Sequence, residues 1–215
     1  MWIETSFYRL CGKRLFDILL SLFSLLALAP IFYLIIAFIL VDFRSVPFFV
    51  QKRFGRGVQP FRLIKFRSML PVSRELRREF ELGSSARITR IGGILRKTKI
   101  DELPALFNVL RGNMSIVGPR PEVAKYVQAC PEDFNQILNI RPGLSDFASI
   151  KYRDEEAILA GQPDPEAYYL NVILPDKLRL AKLYAKNVSF STDLRIIIDT
   201  IKSIVTKETI SNAPD

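Results

Sequence analysis

Two adjacent carboxylates, Asp101 and Glu102, end a stretch crowded with cations: Arg87, Arg90, Arg96, Lys97 and Lys99 precede them, and Arg111 and Arg120 follow. Pro104 is tolerated only in a first helical turn, so the pair falls at or just before a helix N-terminus. Leu106, Val109 and Leu110 continue at helical spacing and Gly112 is a natural stop. Acids at a helix start are common in themselves, because they satisfy orphan N–H groups and complement the macrodipole. The surrounding cations change the reading, since a helix N-terminus binds phosphate as readily as carboxylate. Together these groups resemble a phosphoryl-transfer site: Arg and Lys hold phosphates, one acid holds Mg²⁺, and the other is a nucleophile kept ionised by that field. Glycoside hydrolysis fits poorly, for it wants carboxyls about 5 Å or more apart across a sugar, without a cationic cluster.

The composition narrows the chemistry further. Among 215 residues there is no histidine, which removes imidazole acid/base chemistry, Ser-His triads and imidazole zinc sites. Cys11 and Cys130 lie outside any CxxC pattern and read as two reduced thiols. A net charge of +9 suits nucleic acid, anionic lipid headgroups or a phosphate-rich small substrate. The length fits one domain with an anchor to spare.

That anchor lies in residues 18–41, apolar except for Ser21, Ser24, Pro30 and Tyr33. It is long enough to span a bilayer, which takes about 20 residues. Pro30, with Ala29 before it, breaks the helix in mid-segment. Both flanks are basic: Arg9, Lys13 and Arg14 before, Arg44, Lys52, Arg53 and Arg56 after. The positive-inside rule then puts both ends on the cytoplasmic side, as a re-entrant helix–break–helix, the alternative being a kinked single span. Asp17 with Lys13 or Arg14 reads as a structural ion pair at the membrane surface, and Trp2 and Tyr8 as interfacial anchors.

Beyond the anchor, residues 47–53 and 61–69 read as a hairpin around a turn at 55–60. Period-two alternation puts Lys65 and Arg67 on one face, opposite Ile64 and Phe66. Residues 73–82 (SRELRREFEL) read as a short charged helix. The chain from Gly118 onward reads as loop-rich until a last helix near Ser191, whose stripe of Leu194, Ile197, Ile198, Ile201, Ile204 and Val205 faces either the core or the bilayer surface. The expected fold class is an α-rich α+β protein. A re-entrant, Pro-broken membrane helix in residues 1–43 joins a small cytoplasmic catalytic domain in 44–215, with a short β-hairpin and amphipathic interfacial helices.

The order of motifs is itself informative. Lys13-Arg14-x-x-Asp17 precedes the apolar segment; Gln51-Lys-Arg-Phe-Gly-Arg56 and the Lys-Phe-Arg core of residues 61–69 follow it. Then come Arg87-Ile-Thr-Arg-Ile-Gly, Leu95-Arg96, Asp101-Glu-Leu-Pro, Asn108-Val-Leu-Arg-Gly-Asn-Met-Ser115, Val117-Gly-Pro-Arg-Pro121 and Arg141-Pro-Gly143. From Lys13 to about Thr206 the chain resembles the small monotopic phosphoglycosyl transferases, the bacterial sugar-transferase family. The resemblance implies a re-entrant helix, a catalytic domain at the cytoplasmic face of the inner membrane, and Mg²⁺ dependence. It implies that Asp101 attacks the β-phosphate of a UDP-sugar, releasing UMP, and that polyprenyl (undecaprenyl) phosphate then takes the sugar phosphate. Glu102 matches the metal-binding acid, and Arg96, Arg120 and Arg153 match positions near phosphate or nucleotide; the motif over Lys65 and Arg67 puts them near phosphates as well. Beside Arg96 and Mg²⁺, Asp101 is expected to carry a depressed pKa.

Two positions depart from the family. Its Ser-Pro at the membrane break is Ala29-Pro30 here, so a hydroxyl bond supporting the kink is missing. An Asp before the Tyr184-x-x-Asn187 segment is Ala181 here, and Asp176 is too displaced to replace it. Some members add a multi-helix region before the apolar segment, which the position of Lys13 leads us to expect absent. Partners are thus a UDP-sugar, polyprenyl phosphate and membrane lipid, not nucleic acid, and a homodimer is compatible with the sequence. The other readings are a membrane-anchored basic protein that binds nucleic acid or anionic lipid, and a catalytically dead scaffold. The first does not explain why Asp-Glu-Leu-Pro is embedded in the basic region; Ala181 is what favours the second.

Overall fold

At Leu28 the apolar run breaks into two helices, α1 (Lys13–Ala27) and α2 (Ala29–Phe43), bent by 62°. In this computed structural model, residues 8–43, 46–70 and 88–206 are described. Pro30 sits in the first turn of α2, where its missing N–H costs no helical bond. The Leu28 N–H still reaches the Ser24 carbonyl at 2.9 Å, and the Phe32 N–H reaches Leu28 at 2.9 Å. The bend therefore sacrifices few backbone bonds, even with alanine at position 29. Among the described residues no single helix is long and apolar enough to cross a membrane; the bent pair passes that test only together.

Both helices use one face on the protein. Phe32, Ile35 and Ile39 of α2 are buried against Phe66 and Leu95. Phe16, Leu20 and Leu25 of α1 pack on the main core. The other faces leave Leu19, Phe23, Leu26, Tyr33, Leu34 and Val41 exposed. A contiguous apolar surface of this kind marks contact with lipid or a partner.

The expected hairpin is present as β1 (Phe48–Phe54) and β2 (Pro60–Phe66), antiparallel from Phe48↔Phe66 to Phe54↔Pro60. A 3₁₀ turn, Arg56–Val58, joins them, with Gly57 at φ 66°, a left-handed value that suits glycine. The second strand stops three residues before its expected end; Met69 makes only an isolated bridge to Ile88. Next come α3 (Arg90–Lys97), capped by Thr89 Oγ1, which accepts from the Gly92 N–H, then a 3₁₀ turn at Ile100–Glu102 and α4 (Ala105–Leu110). A parallel pair follows, β3 (Ser115–Val117) beside β4 (Gly143–Ser145).

The part expected to be loop-rich is largely helical, which corrects that reading. It holds α5 (Ala124–Ala129), α6 (Pro131–Ile137), α7 (Phe147–Lys151), α8 (Glu155–Ala160), α9 (Pro165–Tyr168) and α10 (Leu174–Lys186) before α11 (Phe190–Thr206). Pro131, Pro165 and Pro175 all stand at helix starts, where proline initiates a helix rather than breaking it. Most of these helices are too short to show a 3.6-residue period.

The inward side of helix α11 is mixed rather than purely apolar. Asp193, Ile196 and Ser203 are buried, whereas Leu194, Ile198, Ile201 and Val205 are exposed; of the apolar stripe, Ile197 packs on the core. Asp193, fully buried, accepts from Tyr8 Oη at 2.6 Å, Tyr184 Oη at 2.6 Å and Lys13 Nζ at 2.5 Å. Tyr8 is therefore a buried structural residue rather than an interfacial anchor. Asp17 is structural as expected, but not through a direct ion pair with Lys13 or Arg14. It accepts from Ser115 Oγ at 3.0 Å and the Ile116 N–H at 2.9 Å, while Arg14 donates to the carbonyls of Val109 and Leu110. Each of these bonds ties the base of the apolar helix pair to the rest of the fold. The charged helix expected at 73–82, and Trp2, lie outside the described residues.

Candidate active site

Three pieces of backbone converge on the carboxylate pair. After α3, Lys99 adopts φ 57° and reverses the chain, so the 3₁₀ turn delivers Asp101 and Glu102 just ahead of α4. On the hairpin, residues 51, 53, 61, 63 and 65 share one face; Phe61 and Leu63 anchor it in the core, and Lys65 carries the same parity to the site. Arg120 arrives on the loop after β3. That loop passes close to β4: a Cβ on Gly143 would lie 2.0 Å from the Gly118 nitrogen, so glycine is what lets the two segments touch.

Glu102 is held by two cations. Lys65 Nζ lies 2.6 Å from Oε1, Arg120 Nη2 2.5 Å from Oε1, and Arg120 Nη1 3.3 Å from Oε2. The Arg120 N–H donates to Asp146 Oδ2 at 3.2 Å, and Arg53 braces the next residues through the Pro121 carbonyl at 3.1 Å and Glu122 at 3.3 Å. Arg53, Leu63, Lys65, Glu102, Arg120 and Leu144 line a shallow cleft. Asp101 is buried beside this clasp, yet its Oδ1 has no hydrogen-bond partner. A buried polar atom left unpaired costs about 1–3 kcal/mol, so it asks for a ligand.

The electrostatics separate the two acids. Burial alone would raise Glu102, but Arg120 and Lys65 outweigh it and hold its carboxyl well below the usual carboxylate range. Asp101 goes the other way. Burial, then repulsion from Glu102, raises it against the pull of Lys65, Lys99 and Arg96. This corrects the expectation of a depressed Asp101: the cations that would lower it are spent first on its neighbour. Burial likewise lowers Lys65 and Lys99 from the usual ammonium value.

Of the residues expected at the site, Asp101, Glu102, Lys65 and Arg120 come together. Arg96 acts electrostatically on both acids, but its guanidinium pairs with Glu156 of α8. Arg153, on the turn before α8, keeps Nη1 buried with no partner. Arg67 does not join them: Nε donates to the Val46 carbonyl at 2.8 Å and Nη2 to that of Phe48 at 3.4 Å. β2 ends at Phe66, so strand parity no longer aims the next side chain, and Arg67 instead holds the base of the hairpin. The sequence placed Lys99 among the cations around the pair and Arg53 in the basic flank of the apolar segment, without assigning either to the site. Arg53 shares the face of Leu63, a signal the paired register carries. Ala181 lines a second hollow with Arg120, Asp146 and Lys177. Asp176 is engaged elsewhere, by Lys151 at 2.8 Å and Tyr152 at 2.8 Å.

The donor set fits a hard cation. Among the described residues no three His, Cys, Asp or Glu side chains gather as a metal cage. Mg²⁺ is, however, commonly bound through one or two carboxylates plus substrate phosphates. Glu102 is ionised, and its Oε2 carries only the 3.3 Å contact to Arg120, leaving lone pairs free.

An open, buried carboxylate beside a cation-clasped one, in a helix-rich chain that also carries a bent apolar helix pair, is an arrangement suited to binding phosphoryl groups. The chain belongs to the bacterial sugar transferase family, whose model matches residues 8–207. It is 36% identical over 203 residues to an exopolysaccharide production protein, PSS, of Rhizobium leguminosarum bv. phaseoli, covering 91% of this chain and 96% of that one. It is 32% identical over 197 residues (90% of this chain) to a UDP-N-acetylgalactosamine-undecaprenyl-phosphate N-acetylgalactosaminephosphotransferase of Aeromonas hydrophila. With an undecaprenyl-phosphate glucose phosphotransferase of Komagataeibacter xylinus it shares 34% identity over 202 residues, 88% of this chain. The chain spans only 44% and 35% of these last two proteins.

Proposed function

We propose that the protein is a phosphoglycosyl transferase that moves a sugar-1-phosphate from a UDP-sugar to polyprenyl phosphate at the cytoplasmic face of the bacterial inner membrane. The names of two relatives, which act on undecaprenyl phosphate, support the acceptor. The bent apolar helices, the basic flanks and the outward stripe of α11 support the membrane seat. The observation that carries the chemistry is the unpartnered Oδ1 of buried Asp101.

In the first half-reaction an Asp101 oxygen attacks the β-phosphorus. The bond from that phosphorus to the bridging oxygen breaks, and UMP leaves with the electron pair. In the second, an oxygen of the lipid phosphate attacks the same phosphorus and the Asp101 carboxylate departs unchanged. The acceptor is already an anion, so neither step needs a general base; a raised pKa makes Asp101 the better nucleophile once ionised. Lys65 and Arg120 are placed to exchange part of their hold on Glu102 for the donor's diphosphate oxygens. Glu102 would hold Mg²⁺, which neutralises charge on the diphosphate when bound.

Enzyme incubated with UDP-sugar and Mg²⁺, without lipid, should release about one equivalent of UMP and gain a sugar phosphate on the peptide holding Asp101. Asp101→Asn should lose both adduct and turnover. An adduct on Asp101→Asn, or normal turnover by wild type with no adduct, would show that Asp101 is not the nucleophile. Glu102→Gln should mainly slow the metal-dependent rate.

A further inference from the structure

Asn108 is almost completely buried, at 1% exposure, and it spends its whole side-chain amide on β2. Its Oδ1 accepts from the Ile64 N–H at 3.0 Å and its Nδ2 donates to the Arg62 carbonyl at 2.7 Å. Among the described residues the sheet is two-stranded, β1 beside β2, and no described strand lies on the outer edge of β2. A primary amide has the donor and acceptor of a peptide group, and here it occupies that edge as one rung of a missing strand. The next residue on the strand is Lys65.

We infer that Asn108 is a positioning residue: it locks β2 to α4 in the one register that lays Lys65 on Glu102. The helix that carries Asn108 begins just after Asp101-Glu102, so the two bonds connect both partners of the Lys65–Glu102 pair through one short rigid path. A slip of one residue would turn Lys65 to the opposite face, and a slip of two would carry its ammonium about 7 Å along the strand. Apolar packing at Phe61 and Leu63 tolerates small slides, whereas two directional bonds to a single amide do not. The Asn108 carbonyl also accepts from Asn113 at 3.0 Å and Met114 at 3.2 Å, which holds the far end of α4 in place. This role rests on the reading of Lys65 and Glu102 as part of the substrate site.

The test combines a labelling readout with kinetics. Amine-reactive labelling of the detergent-solubilised full chain, read by mass spectrometry, reports Lys65 against exposed Lys52 and against Lys177, which is buried in an ion-pair group with Glu122 and Glu155 and makes no bond to β2 or Glu102. In Asn108→Ala, Lys65 should label about tenfold faster than in wild type, with Lys177 still protected. UMP release should fall by a similar factor, and that loss should vanish in a Lys65→Met background because the two residues act through one contact. Should the alanine variant not fold, Asn108→Leu keeps the side-chain volume and removes the same bonds. Unchanged protection of Lys65 in a folded variant overturns the inference, and so does joint exposure of Lys65 and Lys177 or a full additive loss in the Lys65→Met background. If wild type releases no UMP from any UDP-sugar, the transferase reading fails, while the labelling pattern still decides whether Asn108 sets the position of Lys65.

Discussion

The two carboxylates at positions 101 and 102 are neighbours in the chain with opposite electrostatic fates. Glu102 takes both Lys65 and Arg120; Asp101 is left with burial and a like charge that outweigh the pull of Lys65, Lys99 and Arg96. Arg120 meets Glu102 with a two-nitrogen fork, which a lysine cannot reproduce. Arg120→Lys should therefore lower UMP release by at least about tenfold although charge is kept, since a charged hydrogen bond contributes about 1.5–3 kcal/mol. Activity within twofold of wild type would show that only the charge counts. The metal belongs to the same scale. EDTA should abolish turnover and Mg²⁺ restore it, with Mn²⁺ the best substitute for a hard oxygen site; full activity in EDTA would remove Glu102 from that role.

At the scale of elements, the break at Leu28 and the Gly118–Gly143 contact decide where the site sits. Pro30→Leu supplies the missing backbone donor and should favour one continuous helix, carrying the N-terminal flank across the membrane. Cysteines placed singly near residues 9 and 48, in a chain lacking Cys11 and Cys130, should be shielded from an impermeant reagent in intact cells. In Pro30→Leu the first should become reactive; labelling of only one of the two sites in the otherwise unaltered chain would establish a true crossing. The Gly143→Ala methyl would meet backbone at 2.0 Å, which no side-chain motion relieves. It should destabilise the protein by about 1–3 kcal/mol or more, measurable as a fall in Tm.

Across the whole molecule, the apolar helix pair and the rest of the fold are joined by buried polar bonds rather than by apolar packing alone. Asp193 gathers Tyr8, Tyr184 and Lys13, and Asp17 reaches β3. Removing Asp193 strands a mostly buried ammonium and the Tyr8 hydroxyl, while Tyr184 keeps the Val117 carbonyl at 3.1 Å; such a loss typically costs about 3–5 kcal/mol. Asp193→Ala should unfold at markedly lower denaturant or temperature than wild type, and Tyr8→Phe, which removes one donor, should cost much less. Equal stability of the two variants would mean that the network does not hold the halves together.

The sequence by itself determined what local conformational preference controls. Pro104 put the carboxylate pair ahead of a helix, Pro30 broke the apolar run, and alternation around residues 55–60 made a hairpin. Each depends on atoms within a few residues, so each was legible in the chain. The tertiary structure decided what depends on burial and distant partners. Lys65 meets Glu102 across 37 positions and Arg120 across 18, while Arg67, two residues from Lys65, is turned onto backbone carbonyls. The prolines of 131–175 became helix starts only because packing supplied what short helices lack by themselves. Only part of the stripe of α11 faces outward, because buried Asp193, bonded to Tyr184, and the core contacts of Ile196 and Ile197 fix which side lies inside. The direction of the Asp101 shift was hidden for the same reason: a run of cations in sequence does not say which acid each will reach, and desolvation acts only once the chain has closed around the group.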